Sequence, residues 1–287
     1  TPILCNGGNS SVTVSATGGT PPYTGTGTYS HPAGTHTITV TDANGCPAST
    51  IVTITQPAMQ LSVAATATQI LCNGGNSTLT VAAIGGTAPY SGTVTATRGP
   101  GTYTFTVTDA NGCAASASVT ITEPPVLALG ITVPPILCNG GTSTVSVTAT
   151  GGTPPYTGTG TFTRGQGTYS FVVTDANGCT DSTSVSLTEP PLLTAASTAT
   201  QILCNGGSAT VTVTASGGTP PYSGTGTFSR KAGTHTLTVT DANGCTATTT
   251  STITEPPALT VSANATPIFC NGSSSTVTVS ATGGIPP

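Results

Sequence analysis

The chain has 287 residues, four of them Lys or Arg and eight Asp or Glu, for a net charge of −4. Charged residues make up only 4%, against about 25% in an ordinary soluble domain, and Thr, Ser, Gly and Pro take their place. There is no basic stripe for neutralising phosphates, which argues against nucleic-acid binding, and no apolar run approaches the roughly 20 residues of a membrane-crossing helix.

LCNGG runs from Leu4 to Gly8 and returns at Leu71, Leu137 and Leu203, with a variant, FCNGS, from Phe269 to Ser273. The cysteines of these phrases, Cys5, Cys72, Cys138, Cys204 and Cys270, are 67, 66, 66 and 66 residues apart. A second phrase, TDANGC, keeps the same beat and ends at Cys46, Cys113, Cys179 and Cys245. A period of this length marks a tandem array of small modules. The expected repeats are 1–57 (first strand missing), 58–123, 124–189 and 190–255 (complete) and 256–287 (later strands missing). Because both ends fall inside a repeat, the sequence reads as a segment of a longer polypeptide.

The second repeat gives the elements in order. Leu61 and Val63 alternate with small polar residues and predict a first strand. Asn73-Gly74-Gly75-Asn76 is a turn. Thr78 to Ala83 predicts a second strand, with Leu79 and Val81 inward and Thr78 and Thr80 outward. Gly85 to Tyr90 breaks the run and enters a Thr/Gly-rich strand or loop ending near Arg98. The clearest strand follows, with Tyr103, Phe105 and Val107 on one face and threonines on the other. Asp109-Ala110-Asn111-Gly112 closes a hairpin, with Asn-Gly as its signal. The return strand turns Val119 and Ile121 inward and ends at Glu123-Pro124-Pro125, where prolines terminate the ladder. Short strands with this punctuation predict an all-β chain, a tandem array of immunoglobulin-like antiparallel sandwiches of about 66 residues.

The nine cysteines include no CxxC pair, which favours disulfides and an oxidising location over zinc. Two pairings are open. Within a repeat, Cys5–Cys46, Cys72–Cys113, Cys138–Cys179 and Cys204–Cys245 would each span 41 positions and leave Cys270 over. In a sandwich, however, the two cysteines of one repeat sit at opposite poles, about 25 Å apart for a strand of eight residues, too far for a bridge. The alternative joins neighbours: Cys5–Cys113, Cys72–Cys179 and Cys138–Cys245.

The linked phrases CNGG, GGTPPY, GTYxxxVTDANGC and TEPP resemble the SprB-type repeat, named after a gliding-motility adhesin of Bacteroidetes, although this chain lacks the Trp-containing strand common in that family. The resemblance implies a giant multi-repeat protein of the cell surface, exported by type IX secretion and serving in adhesion or as a surface filament.

Other constellations are weak. Asp42-Ala43-Asn44-Gly45 and its copies offer one carboxylate per turn, too few for tight calcium binding. His36 and His235 take the slot of Tyr103 and Tyr169 in sister repeats, so they fill space, and no repeat combines nucleophile, base and orienter. No metal, cofactor or enzymatic activity is expected. Tyr23, Tyr90, Tyr156 and Tyr222 recur after Pro; each either closes the end of a small core or offers a platform to sugar rings. Asn9, Asn76, Asn264 and Asn271 begin N-x-S/T sequons that are not kept in every repeat. Arg98, Arg164 and Arg230-Lys231 share one position, where they discourage edge pairing. The first expectation is therefore a non-enzymatic, disulfide-reinforced stalk or fibre, with self-association into fibres as one interaction. The rival is a multivalent array contacting surface glycans or solid substrata through Tyr and Thr.

Overall fold

The computed structural model describes residues 1–285. Pro286 and Pro287, the last residues of the expected fifth repeat, lie outside the described residues. The described chain contains strands and turns but no helix, and so no helix long and apolar enough to cross a membrane.

By contacts it divides into two compact units. The first comprises Thr1–Ala128 with Thr150–Thr157 and Thr174–Asp181. Its strands are β1 (Asn9–Val14), β2 (Gly27–Pro32), β3 (Gly34–Thr41), β4 (Pro47–Ile54), β5 (Ser62–Ala67), β6 (Ser77–Ile84), β7 (Val94–Arg98), β8 (Gly101–Thr108) and β9 (Ala114–Ile121). They form antiparallel sheets β1-β2, β3-β4, β5-β6-β7 and β8-β9.

The second unit comprises Leu129–Ala149, Gly158–Val173 and the chain from Ser182 onward. Its strands are β10 (Ala128–Thr132), β11 (Ser143–Thr150), β12 (Gly160–Arg164), β13 (Gly167–Thr174), β14 (Thr180–Leu187), β15 (Thr194–Ala199), β16 (Ala209–Ser216), β17 (Gly226–Arg230), β18 (Gly233–Thr240), β19 (Thr246–Ile253), β20 (Thr260–Ala265) and β21 (Val277–Thr282). The sheets are β10-β11-β12, β13-β14, β15-β16-β17, β18-β19 and β20-β21.

Period-two alternation builds each sandwich. In β6, Leu79 and Val81 are buried while the threonines between them face water. They meet Val107 of β8 and Ile121 of β9 in one core with Ile70, flanked by Tyr90, Tyr103 and Phe105. The equivalent core in the second unit gathers Ile202, Val211, Val213, Val239 and Ile253. Two antiparallel sheets closed over a common core form an immunoglobulin-like sandwich, with five strands instead of seven. On the wet faces the β-branched hydroxyls pair across strands, as in Thr102–Thr120 at 3.0 Å and Thr104–Ser118 at 2.8 Å.

The hairpin expected at Asp109–Gly112 forms between β8 and β9. Thr108 pairs with Ala114 across a five-residue loop, and among the described residues none other than glycine has positive φ, so the turn at Asn111 is not type I′. Gly112, at φ +83°, makes the reversal, and an Asp side chain shapes the rest of the loop.

Candidate functional site: the joined turns

Two turns recur in each repeat. The first is the CNGG turn. Ile70 before it is almost fully buried, whereas Leu71 is 51% exposed. The isoleucine therefore anchors the turn, and the Leu71 side chain is left at the surface. Gly75 N–H closes the turn onto Cys72 O at 3.0 Å, and Gly74 adopts φ +76°. The end of the same repeat holds it in place: Gly74 N–H donates to Glu123 Oε2 at 2.6 Å, and Asn73 Nδ2 donates to Pro124 O at 3.0 Å. Glu189 serves Gly140 and Glu255 serves Gly206 in the same way. In the first repeat Gln56 Oε1 does the same for Gly7 at 2.9 Å.

The second turn is the DANGC loop. Asp109 is buried, and its Oδ1 accepts from the N–H groups of Asn111 and Cys113, each at 2.9 Å. Its Oδ2 accepts from Thr87 N–H at 2.9 Å. Burial pushes the Asp109 carboxyl pKa up, but the N–H donors of Thr87, Cys113, Asn111 and Gly112 outweigh it and hold the group below its ordinary 3.8. Asp175 and Asp241 show the same balance. At Asp42 the N–H groups of Cys46 and Thr20 are the leading causes of a lowered pKa. Since these oxygens already accept N–H donors, the loop is a backbone clamp and not a calcium bowl.

The two turns of neighbouring repeats meet. Cys5 is bonded to Cys113, Cys72 to Cys179 and Cys138 to Cys245, each with Cα atoms 5.7 Å apart. The first two bonds lie inside the first unit and the third inside the second. Of the two pairings open in the sequence, the one between repeats is formed; Cys46, Cys204 and Cys270 are exposed and unbonded. Beside each disulfide the loop asparagine spans the junction. Asn111 Nδ2 donates to Leu4 O at 3.1 Å, Asn177 Nδ2 to Leu71 O at 3.0 Å, and Asn243 Nδ2 to Leu137 O at 3.0 Å. The same amides donate to Thr87, Thr153 and Thr219 within their own repeats. One amide thus ties its own loop to the next turn. The repeated phrase TDANGC contains this asparagine, but its role depends on a carbonyl more than a hundred positions away and has no local signal.

The tyrosines are committed elsewhere. The hydroxyls of Tyr23, Tyr90, Tyr156 and Tyr222 donate to the carbonyls of Gly18, Gly85, Gly151 and Gly217 at 2.6 to 2.7 Å. Tyr90 and Tyr222 also pack against their cores. Each follows a cis proline. His36 Nε2 pairs with Pro32 O and His235 Nε2 with Lys231 O, as Tyr103 OH donates to Gly99 O. Histidine and tyrosine in this slot therefore make the same bond.

Comparison with known proteins follows the sequence phrases. The profile of the family described as the SprB repeat matches residues 1–24 and 196–223, so these two regions are similar to that repeat. No curated protein matches the chain. Among solved structures, the N-terminal eight Ig domains of Down Syndrome Cell Adhesion Molecule, isoform 1.30.30, align at 15% identity with a TM-score of 0.20. The alignment covers 89% of this chain and 49% of that one, so the chain spans about half the length of that structure.

Proposed function

We propose that this segment is a non-enzymatic stalk or fibre of a cell-surface adhesin, exported by type IX secretion, in which disulfides between repeats resist extension. SprB-type repeats and immunoglobulin-like sandwiches fit a surface adhesin segment. The observation that carries the mechanical reading is the pairing of Cys5 with Cys113 and of Cys138 with Cys245. Under tension the shortest covalent path crosses from Cys5 to Cys113, follows the chain to Cys138 and crosses to Cys245. The segments 6–112 and 139–244 are then shielded from the load. Residues 114–137 and those after Cys245 still bear the load, but the two shielded segments lengthen only when their disulfides are cut.

Single-molecule pulling on the oxidised chain, held at its two ends, tests this. Without reductant, residues inside the shielded segments contribute no extension. With reductant, each shielded segment releases about 370 Å, at roughly 3.5 Å per residue. Equal extension in both conditions would refute the stalk reading.

A further inference from the structure

The distribution of charge singles out one place in the repeat. Arg98, Arg164, Arg230 and Lys231 are all the Lys and Arg residues in the chain, and all stand at the end of β7, β12 or β17 or directly after it. His31 holds that place in β2. The acids, Asp181 apart, are turned to backbone duties: the four loop aspartates accept N–H groups of their own loops, and Glu123, Glu189 and Glu255 accept from glycine N–H. The only cations of the molecule thus stand together at one repeat position.

In the third repeat this position is a built site. The Arg164 guanidinium carbon is 5.6 Å from the Phe162 ring centre and 5.5 Å from that of Tyr169. Phe162 and Phe171 meet at 5.4 Å, and a cleft of about 250 Å³ is lined by Gly158, Phe162, Arg164, Tyr169 and Phe171. One guanidinium N–H is spent on Thr163 O, at 3.0 Å. A guanidinium held between rings in this way is planar, oriented and only partly hydrated, which suits bidentate pairing with a carboxylate. The fourth repeat keeps a lesser version, with Arg230 5.4 Å from Phe228 and His235 in place of the tyrosine. In the second repeat Ala96 replaces the phenylalanine, and Arg98 is exposed.

We infer that Arg164, with Phe162 and Tyr169, binds a hexuronate unit of an acidic polysaccharide, the buried Phe171 backing the Phe162 ring, and that Arg230 with Phe228 is a weaker second site. The guanidinium takes the sugar carboxylate, and the exposed parts of the Phe162 and Tyr169 ring faces take the apolar C–H face of the pyranose. Four cations against a net charge of −4 are too few for a phosphate backbone, which is held by many Lys and Arg contacts, whereas one carboxylate per sugar asks for one clamp. Linked sites on one chain raise the apparent affinity for a polymer. This binding is independent of the stalk's mechanics, because it is read in solution on the unloaded chain.

The test is affinity electrophoresis of the full oxidised chain through gels containing polygalacturonate, fully methyl-esterified polygalacturonate, or dextran. Polygalacturonate alone is expected to retard the chain. R164Q lowers the apparent affinity about tenfold, the worth of one charge-assisted pair. R230Q lowers it less, and R98Q leaves it nearly unchanged. R164K, which keeps the charge and loses the stacked plane, falls with R164Q. No retardation by polygalacturonate, equal retardation by the esterified polymer, or equal losses in R98Q and R164Q would each overturn the assignment, the last by reducing it to net charge.

Discussion

Replacing Cys72 by Ser separates the two cysteine pairings by chemistry alone. In this structure Cys72 is bonded to Cys179, so C72S frees the Cys179 thiol and leaves Cys113 bonded to Cys5. Denaturation in an alkylating agent without reductant, followed by peptide mapping, is expected to label Cys179 in addition to the unbonded Cys46, Cys204 and Cys270. Label on Cys113 with Cys179 silent would refute the pairing. The energetic consequence is read in the double variant C72S/C179S, which leaves no stray thiol. For a closed loop of 107 positions the chain-entropy relation gives about 4.8 kcal/mol at 25 °C. That is the ceiling, reached when the whole loop unfolds together; repeats that open singly recover less. The bond from Asn177 to Leu71 O does not involve the sulfurs and is expected to hold the folded junction in the double variant. Calorimetry is expected to show a transition lowered by on the order of 10 °C. An unchanged transition would show that the denatured chain gains no freedom from losing the staple, and would refute the argument.

Leu79→Ala, at a fully buried position, is expected to cost about 2–5 kcal/mol in chemical denaturation, while Ile51→Ala, 68% exposed, costs under about 0.5 kcal/mol. Gly92→Ala forces a Cβ to 2.5 Å from Thr106 O at φ +98°, so it lowers stability by at least about 1 kcal/mol. Glu123→Gln is expected to be nearly silent, because Gln56 already does the same work at Gly7; Glu123→Ala lowers the melting temperature. The loop aspartates have folded pKa values below their ordinary 3.8, so their contribution to stability is complete above about pH 4 and is lost as pH falls through the depressed values. Melting temperatures are therefore expected to be flat from about pH 5 to 7 and to fall in stronger acid. Asp109→Asn should flatten part of that fall.

The strands were legible because one property decides them. Alternation of Val, Leu and Ile with Thr names both the strand and its wet face, and Leu79, Val81, Val107 and Ile121 lie on the buried side that alternation assigns them. The turns were legible only as punctuation. Asn-Gly in DANGC signals the hairpin, but the buried Asp109 carboxylate accepts three N–H groups and stabilises a five-residue loop that local turn chemistry does not encode. The leucine of LCNGG was legible only as part of a repeated phrase. Leu71 is half exposed, and the group that matters is its carbonyl. Side-chain patterns report what a residue buries; they do not report which carbonyl a distant asparagine will find. The cysteines fall between these cases. Their spacing admitted two pairings, and only the separation of the sandwich poles, an argument about topology, favoured the one that is formed.

The placement of the staples follows from the weakness of the repeat itself. The core of the second repeat holds six buried apolar side chains, Leu61 among them and none larger than leucine or isoleucine, and a domain of this size buries proportionately little apolar surface. A bridge inside each repeat would stiffen that repeat and leave every junction dependent on a proline linker and a few hydrogen bonds. The bridges between repeats act on both. The loops closed by Cys5–Cys113, Cys72–Cys179 and Cys138–Cys245 overlap in sequence, so the chain from Cys72 to Cys113 lies in two loops at once, as does the chain from Cys138 to Cys179. Unfolding a middle repeat therefore occurs inside two constraints whose far ends sit in its neighbours. The entropy each bond removes from the denatured chain grows with loop length, and a 107-residue closure exceeds a 41-residue one by about 0.9 kcal/mol in that relation. The asparagine that accompanies each bond has a different task. It ties the two turns together by a bond that does not involve the sulfurs, so the junction is expected to keep its register on mild reduction and to re-form the same disulfide on reoxidation, as peptide mapping of the reoxidised chain would show.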